Sequence, residues 1–198
     1  MKAYYAKQDA EKLSGKGDTS QKLTLMKTSA DSLKKSADAL NDSSLWEKKK
    51  IKKKDEKTGE EIEVEDYDWD KITKAVKSFV EDYNDVVKEA GESNTKDVLR
   101  NASWMTGMTD KNSNMLAKIG ITIGKGNKLE LDEDALKQAD ISSLKTVFTG
   151  YNSFVSKISQ KATGISNAAN RASATYTNNG TYSKTDSLLT SSKIDEEV

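Results

Sequence analysis

Residues 121–128 are the stretch of the sequence that most resembles a site for chemistry. Their order, ITIGKGNK, places two glycines and two lysines together, as in a phosphate-binding loop. Such a loop leads into a helix that carries Lys-Ser or Lys-Thr at a fixed spacing. Here alternating apolar residues follow and predict a strand. We therefore interpret 125–127 as a hairpin turn and not as a phosphate site.

An acidic cluster, Asp132, Glu133 and Asp134, follows this hairpin. Three neighbouring carboxylates could bind Ca²⁺, which prefers oxygen ligands. The cluster, however, directly precedes an apolar pattern with helical spacing. Acidic residues at that position cap the helix and complement its dipole. The sequence thus predicts a helix N-cap at Asp132, with no metal site.

The remaining residue types argue against catalysis. The chain has no histidine and no cysteine, which removes the commonest general base and the commonest transition-metal ligands. Serines and lysines are abundant but have no paired base. We interpret Trp46, Trp69 and Trp104 as packing anchors or surface platforms, not as a cofactor box. The sequence predicts no enzymatic activity and no cofactor.

The composition of the chain limits the kinds of partner that it is expected to bind. Lys plus Arg and Asp plus Glu both number 32 among 198 residues. A balanced chain has no overall field that would draw it to nucleic acid or to an anionic membrane. No apolar run is long enough for membrane insertion, and the first 20 residues lack the apolar core of a secretory signal peptide. If the protein leaves the cell, we expect export without a cleaved signal peptide.

Helical patterns dominate the elements that would position any site. Apolar residues spaced three and four apart predict helices at 20–46, 67–90 and 151–176. The first and last have long stripes of this kind and are predicted to pack together. The helix-packing seam is predicted to comprise Leu23, Met26, Leu33, Leu40, Ile72, Val76, Phe79, Tyr83, Val155, Ile158 and Ile165.

Two shorter helices and two hairpins complete the predicted elements. A helix at 96–118 is capped by Thr95 and broken at Thr106–Gly107 and in the polar run 110–114. Another covers 133–148, with a small break near Asp140. Hairpins are predicted near 47–66 and 119–132. In the first, a turn at 57–59 would bring the lysines of 52–54 opposite the glutamates of 61–65.

We therefore predict a mainly α fold, an elongated coiled-coil-like helical bundle with small β-hairpins. Low apolar content, 34%, and a mean hydropathy of −0.78 fit a thin core shared along helices. The predicted organisation is a flexible N-terminal segment at 1–19, a helical rod-like domain at 20–176 and a flexible tail at 177–198.

Three motifs in order along the chain suggest a family. Phe79, Val80, Tyr83 and Asn84 match a helix pattern F-V-x-x-Y-N. Residues 116–121 match L-x-x-I-G-I, and 126–132 match a hairpin return G-x-x-L-x-L-D. Together, over about 70–164, they resemble the carboxy-terminal part of the rod domain of flagellar hook-associated protein 2, the filament-capping protein. Members of that family carry large β-rich domains between the two halves of the rod, where this chain has only the 47–66 hairpin.

The resemblance implies a structural component of the bacterial flagellum, located outside the cell, that works by helix packing and protein–protein assembly. The partners it implies are flagellin or hook-associated proteins, together with self-association. The alternative is a secreted helical adaptor or adhesin-like binding module with no flagellar role, which would bind its partner through the tail or the 47–66 hairpin.

Overall fold

The computed structural model describes residues 17–54 and 60–175. Within these ranges the fold is mainly α, as predicted, with seven α-helices and two antiparallel hairpins. The helices are α1 Ser20–Asn41, α2 Trp69–Gly91, α3 Lys96–Lys111, α4 Ser113–Ala117, α5 Glu133–Gln138, α6 Ile141–Phe148 and α7 Phe154–Thr175. The strands are β1 Lys49–Lys54, β2 Glu61–Asp66, β3 Ile121–Ile123 and β4 Leu129–Leu131.

Four long helices form an antiparallel bundle. α1 packs along α7 and α2, and α3 closes the bundle against α7 and α2. Asp31 on α1 accepts a hydrogen bond from Ser166 on α7, and Asp38 on α1 accepts one from Ser159 on α7. Residue number therefore rises along one helix as it falls along the other, so the pair is antiparallel. This α1–α7 contact, which the sequence predicted, is the most extensive between helices in the described chain.

Aromatic rings close one end of the bundle. Trp46 stacks on Phe148, with ring centroids 5.5 Å apart. Phe79 meets Phe148 and Phe154 edge to face at 6.5 and 6.3 Å. Such pairs add to the stabilisation from burial itself. They join α2, α6 and α7, so this end of the bundle is held by contacts distant in sequence.

The first helix is shorter than predicted. α1 ends at Asn41 instead of Trp46, and a 3₁₀ turn covers Ser43–Trp46. The Asp42 carboxylate accepts a bond from the Ser44 N–H at 2.9 Å and starts that turn. The turn lets Trp46 reach the core, where its indole N–H donates to the Leu40 carbonyl at 2.8 Å. A buried Trp needs such a partner.

The predicted break at Thr106–Gly107 is wrong. α3 runs through both residues, since a glycine weakens a helix by about 1 kcal/mol without removing a backbone bond. The break occurs in the polar run instead, at Asn112. There the Asn112 side chain donates to the Met108 carbonyl at 2.8 Å. The same carbonyl also accepts the backbone N–H of Asn112 at 3.2 Å, so the side chain and the backbone of Asn112 together close the end of α3.

The start of the last helix also differs from the prediction. α7 begins at Phe154, and Tyr151 is 83% exposed instead of packed. Gly150 has a φ of +97°, which reverses the chain after α6. Ser153 then accepts a bond from the Ser156 N–H at 3.1 Å and starts the helix. The heptad pattern in the sequence extended one turn past this local stop.

The segment 133–148 forms two helices, separated by Ala139 and Asp140, as the expected break near Asp140 indicated. Asp132 caps the first, accepting from the N–H groups of Asp134 and Ala135 at 3.0 Å, as predicted. The predicted turn at 57–59, Tyr176 and the tail at 177–198 lie outside the described residues. None of the described helices has the length and apolar character needed to cross a membrane.

Candidate assembly surfaces

The predicted helix-packing seam lies inside the bundle. Every one of its eleven side chains is at most 1% exposed. Leu33 on α1 and Ile158 on α7 belong to the same core cluster as Ile72, Val76 and Phe79 on α2. The seam is therefore used within one chain. Contacts with other molecules must come from the outer surfaces of the bundle.

Two carboxylates on α1 hold α7 in register. Ser166 Oγ donates to Asp31 at 2.7 Å, and Ser159 Oγ donates to Asp38 at 2.8 Å. The other carboxylate oxygen of Asp31 accepts from Lys27 at 2.6 Å. Burial would raise the pKa of Asp31, but bonds from Lys27 and Ser166 outweigh it, so that pKa lies below its ordinary value. The sequence did not predict these hydrogen bonds, because the apolar pattern marks the neighbouring positions and not the two serines.

One side chain of α2 pairs with the backbone of the β3–β4 hairpin. Asn84 donates through Nδ2 to the Leu129 carbonyl at 2.8 Å, and the Leu129 N–H donates back to Oδ1 at 2.7 Å. Asn84 ends one of the motifs that carried the family resemblance. Its amide extends the backbone pairing of β4 and adds to the burial of Ile121 and Leu129 in the core cluster.

Gly120, in the second motif, is required by close approach. Its φ is +79°, and a Cβ there would lie 2.6 Å from the Asp132 carbonyl. The Asp132 N–H donates to the Gly120 carbonyl at 2.8 Å. Only glycine allows this contact and this backbone conformation together. The I-G-I pattern thus marks the point where the hairpin closes on the start of α5.

A buried carboxylate that the sequence did not indicate anchors the start of α1. Asp18 is buried and accepts from Ser93 Oγ at 2.7 Å, Thr95 Oγ1 at 2.7 Å and the Asn94 N–H at 2.9 Å. Thr95 thus precedes α3, but its hydroxyl makes no capping bond to that helix. Thr95 does occupy the N-cap position of α3, as predicted, but its hydroxyl donates to Asp18 instead of accepting a capping bond from the helix.

Burial would raise the pKa of Asp18, but the bonds from Asn94, Ser93 and Thr95, with the charge of Lys22, outweigh it. The pKa of Asp18 therefore lies below its ordinary value of 3.8. The carboxylate remains ionised across the physiological range. It ties the segment before α1 to the loop between α2 and α3.

Among the outer surfaces, the β1–β2 hairpin is the most charged. Apart from each other, neither strand makes more than slight contact with another element. The predicted pairing of the lysines of 52–54 with acids is confirmed for Lys52, opposite Glu63, and Lys54, opposite Glu61, whereas Lys53 lies opposite Ile62. Lys50 also lies opposite an acid, Glu65. Lys52 Nζ also lies 3.5 Å from a Glu61 carboxylate oxygen. The hairpin thus extends from the bundle with one basic and one acidic strand.

A shallow groove of about 460 Å³ runs between α1 and α2 on the outside of the bundle. Small side chains line it, and Lys35, Lys71 and Lys74 flank it. Burial raises the pKa of Asp82 in this groove, and the neighbouring acids Asp85 and Glu81 add to the effect, against a bond from Ser36 that lowers it.

A second exposed feature is Trp104 on α3. Its side chain is 45% exposed and lies beneath Lys161 of α7, whose Nζ is 4.3 Å from the ring centroid. This is a cation–π contact at the surface of the bundle. Of the two roles predicted for the tryptophans, Trp104 therefore has the position of a surface platform. Trp46, in contrast, is a packing anchor in the core, and Trp69 is half-buried.

These features define the class of protein. The chain is a helical bundle whose apolar seams are buried within one chain, while the β1–β2 hairpin and the groove between α1 and α2 lie on its outside. Among the described residues, no group of three or more acidic side chains is placed to hold a metal ion.

Residues 93–196 match the model of one family, flagellar hook-associated protein 2 C-terminus. The match covers more than half of the chain, so the chain belongs to this family, and its structural role is related to the flagellar filament cap. The matched region starts later than the predicted 70–164 and extends further, into the tail. The F-V-x-x-Y-N motif precedes it. Searches of curated proteins and of solved structures found no match.

Proposed function

We propose that the chain is a structural component of the bacterial flagellum that works by packing a preformed helical block against other subunits. Its partners would be flagellin or hook-associated proteins, together with further copies of itself. The observation that carries this proposal is the family match over residues 93–196, joined to a bundle whose apolar seams are already filled. Such a block presents surfaces to neighbours without first rearranging.

The location follows from the same proposal. A filament or hook component acts outside the cell, so we propose that the chain is exported. Within the chain, 20–176 would be the rod-like domain. The buried Asp18 extends the ordered part beyond the predicted limit at residue 19. Limited proteolysis followed by mass spectrometry tests these limits, since cleavage inside α1 or α7 would contradict them.

Immunogold electron microscopy on motile source cells tests the flagellar role. We expect an antibody against this chain to label filament tips or hook–filament junctions. A strain that lacks the gene is the matched control, and its filaments should stay unlabelled. Label over the cell envelope with bare filaments would instead support the secreted adaptor or adhesin-like module, which would then bind through the tail or the β1–β2 hairpin.

A further inference from the structure

The β1–β2 hairpin has two edges of opposite charge. Within the described residues its sheet contains only these two strands, so each strand has a neighbour on one side alone. β1 has the sequence KKIKKK and β2 has EIEVED. The backbone groups at the outer edge of β1 are therefore flanked by lysines, and those at the outer edge of β2 by acids.

The two faces of the hairpin differ as well. Side chains alternate between faces along a strand. One face pairs Lys50 with Glu65 and Lys52 with Glu63. The other pairs Ile51 with Val64 and includes Ile62, which is 41% exposed. A strand added at either edge would extend both faces at once, one through charge pairs and the other through apolar contact.

The charge pattern selects one of three ways to join two copies. Contact between two β1 edges would place lysines beside lysines, and contact between two β2 edges would place glutamates beside glutamates. Like charges opposite each other destabilise a strand pair. Only β1 of one copy against β2 of the next places Lys50 and Lys52 beside acids. Charged edge strands commonly prevent association. Here the positive charges lie on one strand and the negative charges on the other, so only the contacts of β1 with β1 and of β2 with β2 are prevented.

We infer that the β1–β2 hairpin is a head-to-tail self-association surface. β2 of one copy adds antiparallel to β1 of a second copy, which continues the alternation of basic and acidic strands. A contact of this kind uses two different patches, so each copy keeps a further open edge. It yields a ring if the rotation closes and a filament if it does not. This inference deepens the proposed function, on which it rests, by naming the surface through which copies join.

Two variants test each edge separately. Lys50→Gln with Lys52→Gln removes charge from the β1 edge, and Glu63→Gln with Glu65→Gln removes it from the β2 edge. Glutamine has the size of glutamate and replaces lysine with a shorter polar side chain, and it avoids like-charge repulsion inside the hairpin. Lys111→Gln with Lys118→Gln is the matched control, because both lysines are exposed and lie away from the hairpin. Sedimentation velocity at low ionic strength measures assembly, and circular dichroism checks that each variant is folded.

We expect wild type and the control to form higher oligomers that dissociate near 1 M salt, where the Debye length falls to about 3 Å. Each hairpin variant alone should associate about tenfold more weakly, since two cross-strand pairs are lost. Mixed one to one, they should form heterodimers, because the acidic β2 of the first fits the basic β1 of the second. This rescue is specific to head-to-tail contact.

Three outcomes would overturn the inference: monomeric wild type at all concentrations, a dimer of either variant alone that is as strong as wild type, or no gain on mixing. The result is independent of the microscopy. Label at filament tips without rescue on mixing would leave the flagellar role intact and remove this surface. Rescue on mixing with bare filaments would keep the surface and remove the flagellar role.

Discussion

Asn84 on α2 bonds both backbone groups of Leu129 on β4, although 45 residues separate them. The amide N donates at 2.8 Å and the amide O accepts at 2.7 Å. One side chain thus satisfies a donor and an acceptor that would otherwise sit partly buried at the edge of a two-stranded sheet. The bond makes the β3–β4 hairpin part of the bundle.

Replacing Asn84 with Ala should lower the free energy of unfolding by about 1–3 kcal/mol, because the N–H and C=O of Leu129 lose their partner. Urea denaturation measures the loss, and hydrogen exchange at Leu129 should quicken before global unfolding. Asn114→Ala is the control, since Asn114 is exposed on α4. Equal stability of the two variants would show that the Asn84 bonds contribute nothing in solution.

Leu33→Asp should abolish cooperative unfolding or cost about 4 kcal/mol or more, because it buries a charge at the centre of the α1–α7 contact. Ile158→Asp on the facing helix should do the same. Leu25→Asp lies on the same helix as Leu33, but that side chain is 49% exposed, so it should change stability little. Thermal unfolding followed by circular dichroism separates them. An unchanged midpoint for Leu33→Asp would refute the α1–α7 pairing.

Two helical glycines should respond differently to Ala. Gly107 on α3 has no atom within 4 Å of a built Cβ, so Gly107→Ala should stabilise the protein by about 0.5–1 kcal/mol. At Gly164 on α7 a Cβ would lie 2.6 Å from Asn101 Oδ1. The clash should cancel the gain there, and adding Asn101→Ala should restore it. Chemical denaturation of Gly107→Ala, Gly164→Ala and the Gly164→Ala/Asn101→Ala double variant measures this. Equal gains at both glycines without Asn101→Ala would contradict close α3–α7 packing.

Asp18→Asn should destabilise the protein by about 1–3 kcal/mol at neutral pH, because an amide offers fewer acceptor sites to Ser93, Asn94 and Thr95. Asp110→Asn, at an exposed position on α3, serves as the control. Faster exchange of the Asn94 and Thr95 amides should accompany the loss. Urea denaturation curves that coincide for both variants would argue against a closed Asp18 contact.

The same carboxylate predicts a pH dependence. The folded pKa of Asp18 lies below its ordinary value of 3.8. Its contribution is therefore complete above that value and is lost as the pH falls through the folded pKa. The stability difference between wild type and Asp18→Asn should shrink in acid and stay constant towards neutral pH. A difference that grows on acidification would mean that the pKa is raised instead.

Burial of Tyr83 predicts a loss of stability at alkaline pH. Burial raises its pKa to about 12, against a bond to Thr109 that lowers it. A raised folded pKa gives stability that is complete below the ordinary value of 10.0 and is lost as the pH rises through 12. Wild type should lose stability relative to Tyr83→Phe in that alkaline window. Parallel stability curves for the two proteins would contradict a buried, neutral phenol.

Helical periodicity predicted the bundle because each long helix has one buried stripe, and the four seam positions predicted on α1, Leu23, Met26, Leu33 and Leu40, are all in the core. The same patterns could not locate helix ends. At Trp46 and Tyr151 the stripe continues in sequence, but Asp42 and Gly150 turn the chain. The Asp18 contact joins residues more than 70 apart through polar groups. Hydrophobic periodicity does not reveal such pairs, because the sequence around a buried aspartate has the same pattern as that around an exposed one.

The bonds from Asp31 to Ser166 and from Asp38 to Ser159 join residues 135 and 121 positions apart. Until α7 is present, the apolar stripe of α1 stays exposed along the surface that α7 buries in the folded chain. Closing so large a loop is entropically costly and slows folding. A chain emerging from a ribosome or an export channel therefore stays incomplete until almost all of it has appeared. We therefore expect folding to wait for α7, the last helix in the part of the chain that the structure describes.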